Sequence, residues 1–113
     1  MRSQKSATYL APAIGADVFS FQNNGTLDPV CTVEHVDPSA GSIALKYRES
    51  DDGSTWTDIA GTAATVNPSG TRSNQQVVVS TRRFIALFAS GNAKFMFTLD
   101  QQVDGSPTQL GAV

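Results

Sequence analysis

A chain of 113 residues has the length of a single domain, since two separate cores would each be too small to be stable. Charged residues make up only 16% of it, the net charge is −2, and the eight Lys and Arg residues are scattered. The sequence therefore lacks the basic stripe with which nucleic-acid-binding proteins neutralise phosphates. It also lacks the roughly 20 consecutive apolar residues of a membrane span. We expect neither nucleic acid nor a membrane as a partner.

Residues 1–16 predict an extended N-terminal arm. Pro12 and Gly15 oppose a helix, and most other side chains in this segment are small. Arg2 and Lys5 are placed as in a signal peptide, but Thr, Pro and Gly interrupt the apolar part, which favours an arm. The apolar residues of the arm are candidates for contact with a partner chain: Tyr9, Leu10 and Ile14.

From Asp17 onward the pattern is typical of short β-strands separated by turns. Runs rich in Val, Thr and aromatic residues alternate with clusters of Asn, Asp, Gly and Pro. In 42–50 every second residue from Ile43 to Tyr47 is a large apolar one, as expected of a strand with one buried face. The predicted strands are 18–22, 30–36, 42–50, 55–59, 75–80, 83–89 and 93–103, with a further short strand near 64–66.

These strands predict an all-β domain over residues 17–103, an antiparallel β-sandwich or jelly roll of about 7–8 short strands. The N-terminal arm precedes it, and 104–113 form a flexible C-terminal tail rich in small residues. Both faces of 83–89 are apolar, which predicts a central strand covered on both sides. We expect four rings of the last two strands to lie in the core: Phe84, Phe88, Phe95 and Phe97.

The sequence offers few groups for catalysis or metal binding. Its single histidine, His35, follows Glu34 in a strand, so the two side chains point to opposite faces. Its single cysteine, Cys31, can form neither an intramolecular disulfide nor a zinc site, and we interpret it as a small buried side chain. The acidic segment 49–53 lacks the ligand series of a calcium loop and is interpreted as a hairpin turn. We expect no enzymatic activity, no cofactor and no metal ion.

Two further features are candidates for binding. The adjacent Arg82 and Arg83 precede a predicted strand, where they either contact an acidic partner surface or are simply solvated. Trp56 is either an exposed platform for a sugar ring or a partner, or a residue that packs across from Tyr47 or a neighbour and fixes the hairpin register. We favour the second interpretation of Trp56.

The segment 46–59, with the sequence Lys-Tyr-Arg-Glu-Ser-Asp-Asp-Gly-Ser-Thr-Trp-Thr-Asp-Ile, resembles a hairpin found in two groups of proteins. One group is the discoidin-like β-sandwiches that bind carbohydrates and lipids, which carry a similar Tyr-Ser-x-Asp-Gly-x-x-Trp signature. The other is the small virion proteins of tailed bacteriophages, including head decoration (cement) proteins with jelly-roll or sandwich folds. The short chain, the single cysteine, the extended ends and the low charge favour the phage group.

The resemblance implies a structural virion protein that decorates or cements a bacteriophage capsid and is assembled in the host cytoplasm. Its partners would be the major capsid protein or other virion subunits. Self-association as a dimer or trimer is also expected, because symmetry multiplies weak contacts. The alternatives are a discoidin-like carbohydrate-binding module and a structural component of a phage neck or tail.

Overall fold

In the computed structural model, which describes residues 2–23, 27–102 and 111–112, the chain folds into two antiparallel β-sheets that enclose one core. The strands are β1 (Arg2–Leu10), β2 (Ala16–Gln22), β3 (Val30–His35), β4 (Ile43–Ser50), β5 (Thr57–Asp58), β6 (Ala64–Val66), β7 (Ser73–Val77), β8 (Phe84–Ser90), β9 (Lys94–Gln102) and β10 (Gly111–Ala112). The order in the four-stranded sheet is β1-β9-β3-β7, and in the six-stranded sheet β10-β2-β8-β4-β5, with β6 also paired with β4. The prediction of an all-β sandwich is confirmed. None of these residues forms a helix that is long and apolar enough to span a membrane.

The core lies between the sheets and is built from alternate residues of the strands, as the period of two predicts. In β4, the residues from Ile43 to Tyr47 alternate between buried and more exposed positions. Phe19 of β2 and Phe97 of β9 bring the two sheets together, with their ring centroids 4.9 Å apart. Phe95 and Phe97 are fully buried, which confirms half of the predicted phenylalanine set.

Strand β8 is central, between β2 and β4, but only one of its faces belongs to the core. Phe84 and Phe88 lie on the other face and are half-buried. The Lys46 ammonium lies 4.7 Å from the centre of the Phe88 ring, and the Arg83 guanidinium 5.4 Å from that of Phe84. The prediction that these two rings join the core is therefore wrong, because cationic side chains cover them in place of a third layer.

The segment predicted as an N-terminal arm is extended, but residues 2–10 form a strand of the sandwich. Strand β1 pairs with β9 along all nine of its residues. The Tyr9 ring packs against Phe19 with a centroid distance of 5.7 Å, and Ala11 is fully buried. The prediction of an arm outside the domain is corrected here, because main-chain pairing and inward side chains hold this segment to the sheet.

The two ends of the predicted domain are described only in part. The C-terminal tail was predicted at 104–113, and its residues 104–110 and 113 lie outside the described residues. Beyond them, β10 pairs with β2, with Gly111 opposite Ser20. Where the tail is described, it therefore adds a short strand to the six-stranded sheet.

Candidate interaction surface

His35 serves the structure of the loop that follows β3. Its side chain is fully buried. The main-chain N–H of Asp37 donates to Nδ1 over 3.2 Å, so Nε2 carries the proton and donates to the Gly41 carbonyl over 2.7 Å. Both ring nitrogens are thus occupied, and Glu34 lies on the other face of the strand. Over residues 2–23, 27–102 and 111–112, no three His, Cys, Asp or Glu side chains are grouped so as to hold a metal ion.

Cys31 and Tyr47 lie in the core, where burial raises the pKa of both side chains. The Tyr47 hydroxyl is buried without a hydrogen-bond partner in the described part of the chain. The Ile59 N–H donates to the Tyr47 carbonyl over 2.9 Å, so Ile59 and not Trp56 lies across from Tyr47. The hairpin register places Trp56 further along β4 than Tyr47, so the two are not directly opposite, and the packing of Trp56 against a neighbour of Tyr47 stays a prediction.

The acidic segment 49–53 folds as the turn that its sequence predicts. The Asp52 carboxylate accepts hydrogen bonds from the N–H groups of Thr55 and Ser54 and from the Ser50 hydroxyl, each over 2.9 Å. These donors, with the Thr55 N–H first, lower the Asp52 pKa to about 2. Gly53 has a φ of 78°, which a residue with a Cβ adopts at a cost.

Both arginines of the candidate pair contact their own chain. Arg82, in the segment between β7 and β8, forms an ion pair of 2.6 Å with Asp51 of the 49–53 turn, and both side chains are largely exposed. Arg83 lies over the Phe84 ring. Contact of these side chains with an acidic partner stays a prediction.

An ion-pair network, which the sequence did not suggest, crosses the outer face of the six-stranded sheet. Arg48 binds Asp17 over 3.1 Å, and Lys46 binds Asp58 over 2.9 Å. The Lys46 ammonium is the main cause of a lowered Asp58 pKa. Arg48 also donates to the carbonyl of Trp56, whose side chain is half-buried. Stacking of a sugar on Trp56 stays a prediction.

The four-stranded sheet ends in an open edge at β7. The Val78 N–H donates to the Pro29 carbonyl, and the Arg72 carbonyl accepts from the His35 N–H. Because residues of an antiparallel strand alternate in direction, the N–H and C=O groups of residues 73, 75 and 77 point away from β3. Among the described strands, β7 pairs only with β3, so these groups face outward. This outward row of main-chain groups is called the β7 edge below.

Large exposed apolar side chains occur at the two ends of the sandwich. Leu10 lies opposite Lys94 at the start of β9, and the Val36 N–H donates to the Lys94 carbonyl. Val77 lies opposite Val30 of β3, and Val30 lies opposite Asp100 of β9. Because Asp100 is six residues beyond Lys94, Val77 is about 20 Å along the sheet from the row that contains Leu10. We define the Leu10 end by Leu10, Ile14 and Val36, and the Val77 end by Leu27, Val77 and Val79. The exposed fractions are 57%, 89% and 38% at the Leu10 end and 67%, 59% and 64% at the Val77 end.

Some of the residues that the sequence predicts to contact a partner are exposed at these two ends. Of the apolar residues predicted to meet a partner, Leu10 and Ile14 are exposed, whereas the half-buried Tyr9 packs against the domain's own core. Val36, Val77, Val79 and Leu27 were missed, because single apolar residues in a sequence do not reveal which of them the strand order leaves uncovered. Binding by Leu10 and Ile14 stays a prediction.

No family model matches the chain, and no curated protein matches it. Several solved structures resemble it in fold. A chain of the Bacillus endospore appendages, described as a family of disulfide-linked pili, has a TM-score of 0.57 and 19% identity over 92% of this chain and 88% of that chain. PirA has a TM-score of 0.54 and 11% identity over 85% and 91% of the two chains. The Yersinia pseudotuberculosis-derived mitogen has a TM-score of 0.54 and 12% identity over 94% and 90%. What they share with this chain is the β-sandwich.

Proposed function

We propose that this protein is a structural subunit that assembles with copies of itself, and that the β7 edge is a binding surface. A free strand edge is a template for pairing with another chain, and proteins that avoid such pairing protect their edges with charges, prolines, bulges or short strands. Strand β5 is two residues long and contains Asp58, and β1 carries Arg2 and Lys5. Strand β7 has five residues without a charge or a proline. This unprotected edge is the observation that carries the proposal.

The fold comparison supports a role of this kind. The Bacillus endospore appendages are described as pili, so a sandwich of similar fold occurs in a protein that forms fibres. Main-chain hydrogen bonds at a sheet edge supply affinity with little dependence on sequence, which suits a repeated contact between identical subunits. The proposed role involves no catalytic step.

We also propose a more specific role, which the resemblance of residues 46–59 implies: the protein decorates a bacteriophage capsid. The partners would then be the major capsid protein or other virion subunits, and the location the virion. This role is supported by the sequence resemblance alone, and none of the three structures above is described as a phage protein. A neighbouring major capsid protein gene would support it, and electron microscopy of particles containing the protein would separate a head from a neck or tail location.

A proline substitution tests the β7 edge without disturbing the fold. Because the Gln75 N–H points outward, Gln75→Pro removes a donor from the edge and leaves the β3–β7 hydrogen bonds in place. The matched control is Gln75→Thr, which keeps the N–H. We expect the wild type and the control to form oligomers in sedimentation velocity, and Gln75→Pro to dissociate at concentrations about tenfold higher. A wild type that stays monomeric at all concentrations would refute self-assembly, and a proline variant that assembles normally would refute the use of this edge.

A further inference from the structure

The side of the sandwich that β7 borders is almost free of charge. Between Asp58 and Arg82, the only charged residue of the sequence is Arg72. Its guanidinium donates to the His35 carbonyl of its own chain over 3.3 Å. This stretch contains β6 and β7, which belong to different sheets and contact each other. Because the centres of protein interfaces are depleted of charged residues, this side is suited to contact with another chain.

The outward main-chain groups of β7 match those of a second copy of β7. In an antiparallel pair, two residues that face each other as a hydrogen-bonded pair exchange both of their N–H···O bonds. If Gln75 faces the Gln75 of a second copy, Ser73 of each copy faces Val77 of the other. Every outward residue of β7 then faces an outward residue of the other β7 and exchanges hydrogen bonds with it. A shift of the register leaves one of these residues opposite a position beyond the strand.

The side chain at the centre of this register is also self-complementary. Gln75 carries a carboxamide, which both donates and accepts hydrogen bonds and can therefore pair with an identical group. On its other side Gln75 donates to the Thr32 hydroxyl over 3.4 Å, and Thr32 lies opposite Thr98. The Thr98 hydroxyl in turn lies 3.2 Å from that of Ser6. Pairing of two β7 strands would therefore continue a polar row that already crosses the outer face of the four-stranded sheet.

The other strand edges are less suited to contact with themselves. Strand β1, at the opposite edge of the same sheet, carries the exposed Lys5 next to its centre. Two antiparallel copies of β1 would bring these ammonium groups close together, which disfavours the contact. Strands β5 and β10 have two residues each, and Asp58 of β5 is held in an ion pair with Lys46. Among the described strands, β7 is therefore the edge best suited to meet its own copy.

We infer that two copies of this chain pair through β7 in antiparallel orientation, about a two-fold axis that passes between their Gln75 residues. The inference rests on the proposed self-assembly and specifies how the copies meet. The two four-stranded sheets then form one continuous sheet. A two-fold contact uses the same surface of both copies, so it is closed and gives a dimer. Each β7 edge is covered by the other, and a larger assembly would require a second surface.

Single cysteines at the edge test this register. Facing residues of a hydrogen-bonded antiparallel pair have Cα atoms about 5.5 Å apart, which a disulfide can span. Gln75→Cys alone should therefore form a covalent dimer under mild oxidation, seen on a non-reducing gel. Ser73→Cys alone and Val77→Cys alone should not, because each such thiol lies about 13 Å along the strand from its own copy. An equimolar mixture of these two variants should cross-link. All three replaced side chains are exposed.

Ser6→Cys is the matched control. Ser6 is exposed on the same outer face as Gln75, but it lies on β1, at the opposite edge of the sheet. The native Cys31 is fully buried, so the wild type should not cross-link while folded. We expect Gln75→Cys to give at least about tenfold more covalent dimer than Ser6→Cys, because the paired edges hold two thiols at a high effective concentration. Free thiols are blocked before denaturation, so that Cys31 does not react on the gel.

Each other outcome overturns a defined part of the reasoning. A wild type that stays monomeric in sedimentation velocity overturns both the self-assembly and the inference. If the wild type assembles, but neither Gln75→Cys nor the mixture cross-links more than Ser6→Cys, the inference fails and the self-assembly stands. If Ser73→Cys alone cross-links as readily as Gln75→Cys, the register is a different one and the inference fails. Where Gln75→Cys no longer assembles, the mixture of Ser73→Cys and Val77→Cys decides, since it keeps Gln75.

Discussion

Replacing Tyr47 by phenylalanine should stabilise the protein, although most core substitutions destabilise. The Tyr47 side chain is fully buried, and its hydroxyl has no hydrogen-bond partner in the described residues. Burial of a hydroxyl without a partner costs about 1–3 kcal/mol. Phenylalanine keeps the ring and its packing, and the small void left by the oxygen offsets part of the gain. We therefore expect the free energy of unfolding to rise by about 1 kcal/mol and Tm by about 4 °C.

Urea unfolding, followed by the fluorescence of Trp56, the only tryptophan, measures this effect. The midpoint should move to higher urea with an unchanged slope. Tyr9→Phe is the matched control, because it is the only other tyrosine and is half-buried, and its effect should stay within about 0.5 kcal/mol. A Tyr47→Phe variant less stable than the wild type would refute the reasoning, since it would show that the hydroxyl makes a favourable hydrogen bond in solution.

The same substitution has a pH signature. Burial raises the pKa of Tyr47 in the folded protein above its value of about 10 in the unfolded chain. The unfolded chain therefore releases the phenolic proton first, and stability falls as the pH rises above about 10. Tyr47→Phe lacks this contribution, so its stability advantage over the wild type should widen above pH 10. A constant difference across this range would contradict the buried position of the hydroxyl.

Four further outcomes are expected. Phe97→Ala should cost about 3–5 kcal/mol in urea unfolding, and Phe88→Ala clearly less, because Phe88 lies half-buried on an outer face. Asp52 stabilises the fold above its unfolded pKa of about 3.9, and this contribution is lost as the pH falls through about 2, so Asp52→Ala should show a smaller loss of Tm between pH 4 and 2. Deletion of residues 2–10 should unfold the domain in circular dichroism, because it uncovers β9. On a glycan array, the wild type should show no sugar binding that Trp56→Ala removes; such binding would favour the carbohydrate-binding alternative.

The sequence predicts a strand most clearly where the inward residues are large. In β4, Ile43, Leu45 and Tyr47 alternate with smaller or polar residues, and the pattern is unambiguous. Strand β1 has the same alternation, but its signal is weak because Ala7, which lies opposite the buried Phe97, is small, and the next inward residue after Tyr9, Ala11, is also an alanine and follows the strand. The size of the inward residues, and not their period, therefore explains why β4 was predicted as a strand and β1 was not.

The error at Phe84 and Phe88 has another cause. A strand with two apolar faces indicates cover on both sides, but the sequence does not show what provides the cover. Here the β4–β8 register places Lys46 opposite Phe88, and the long side chain lies over the ring. The candidate surface was hidden for a similar reason, because an edge or an end exists only once the order of the strands is known.

The two outer faces of the sandwich differ in a way that restricts where copies can meet. On the six-stranded sheet, Arg48 and Asp17 form a partly buried ion pair beside Lys46 and Asp58, and covering these charges would remove water from groups that are already paired. A partner on that face would gain little. At the β7 edge the exposed groups are uncharged, so a partner that pairs there covers no ion pair. The charge distribution therefore favours the β7 edge over the face with the ion pairs as the surface for the proposed self-assembly.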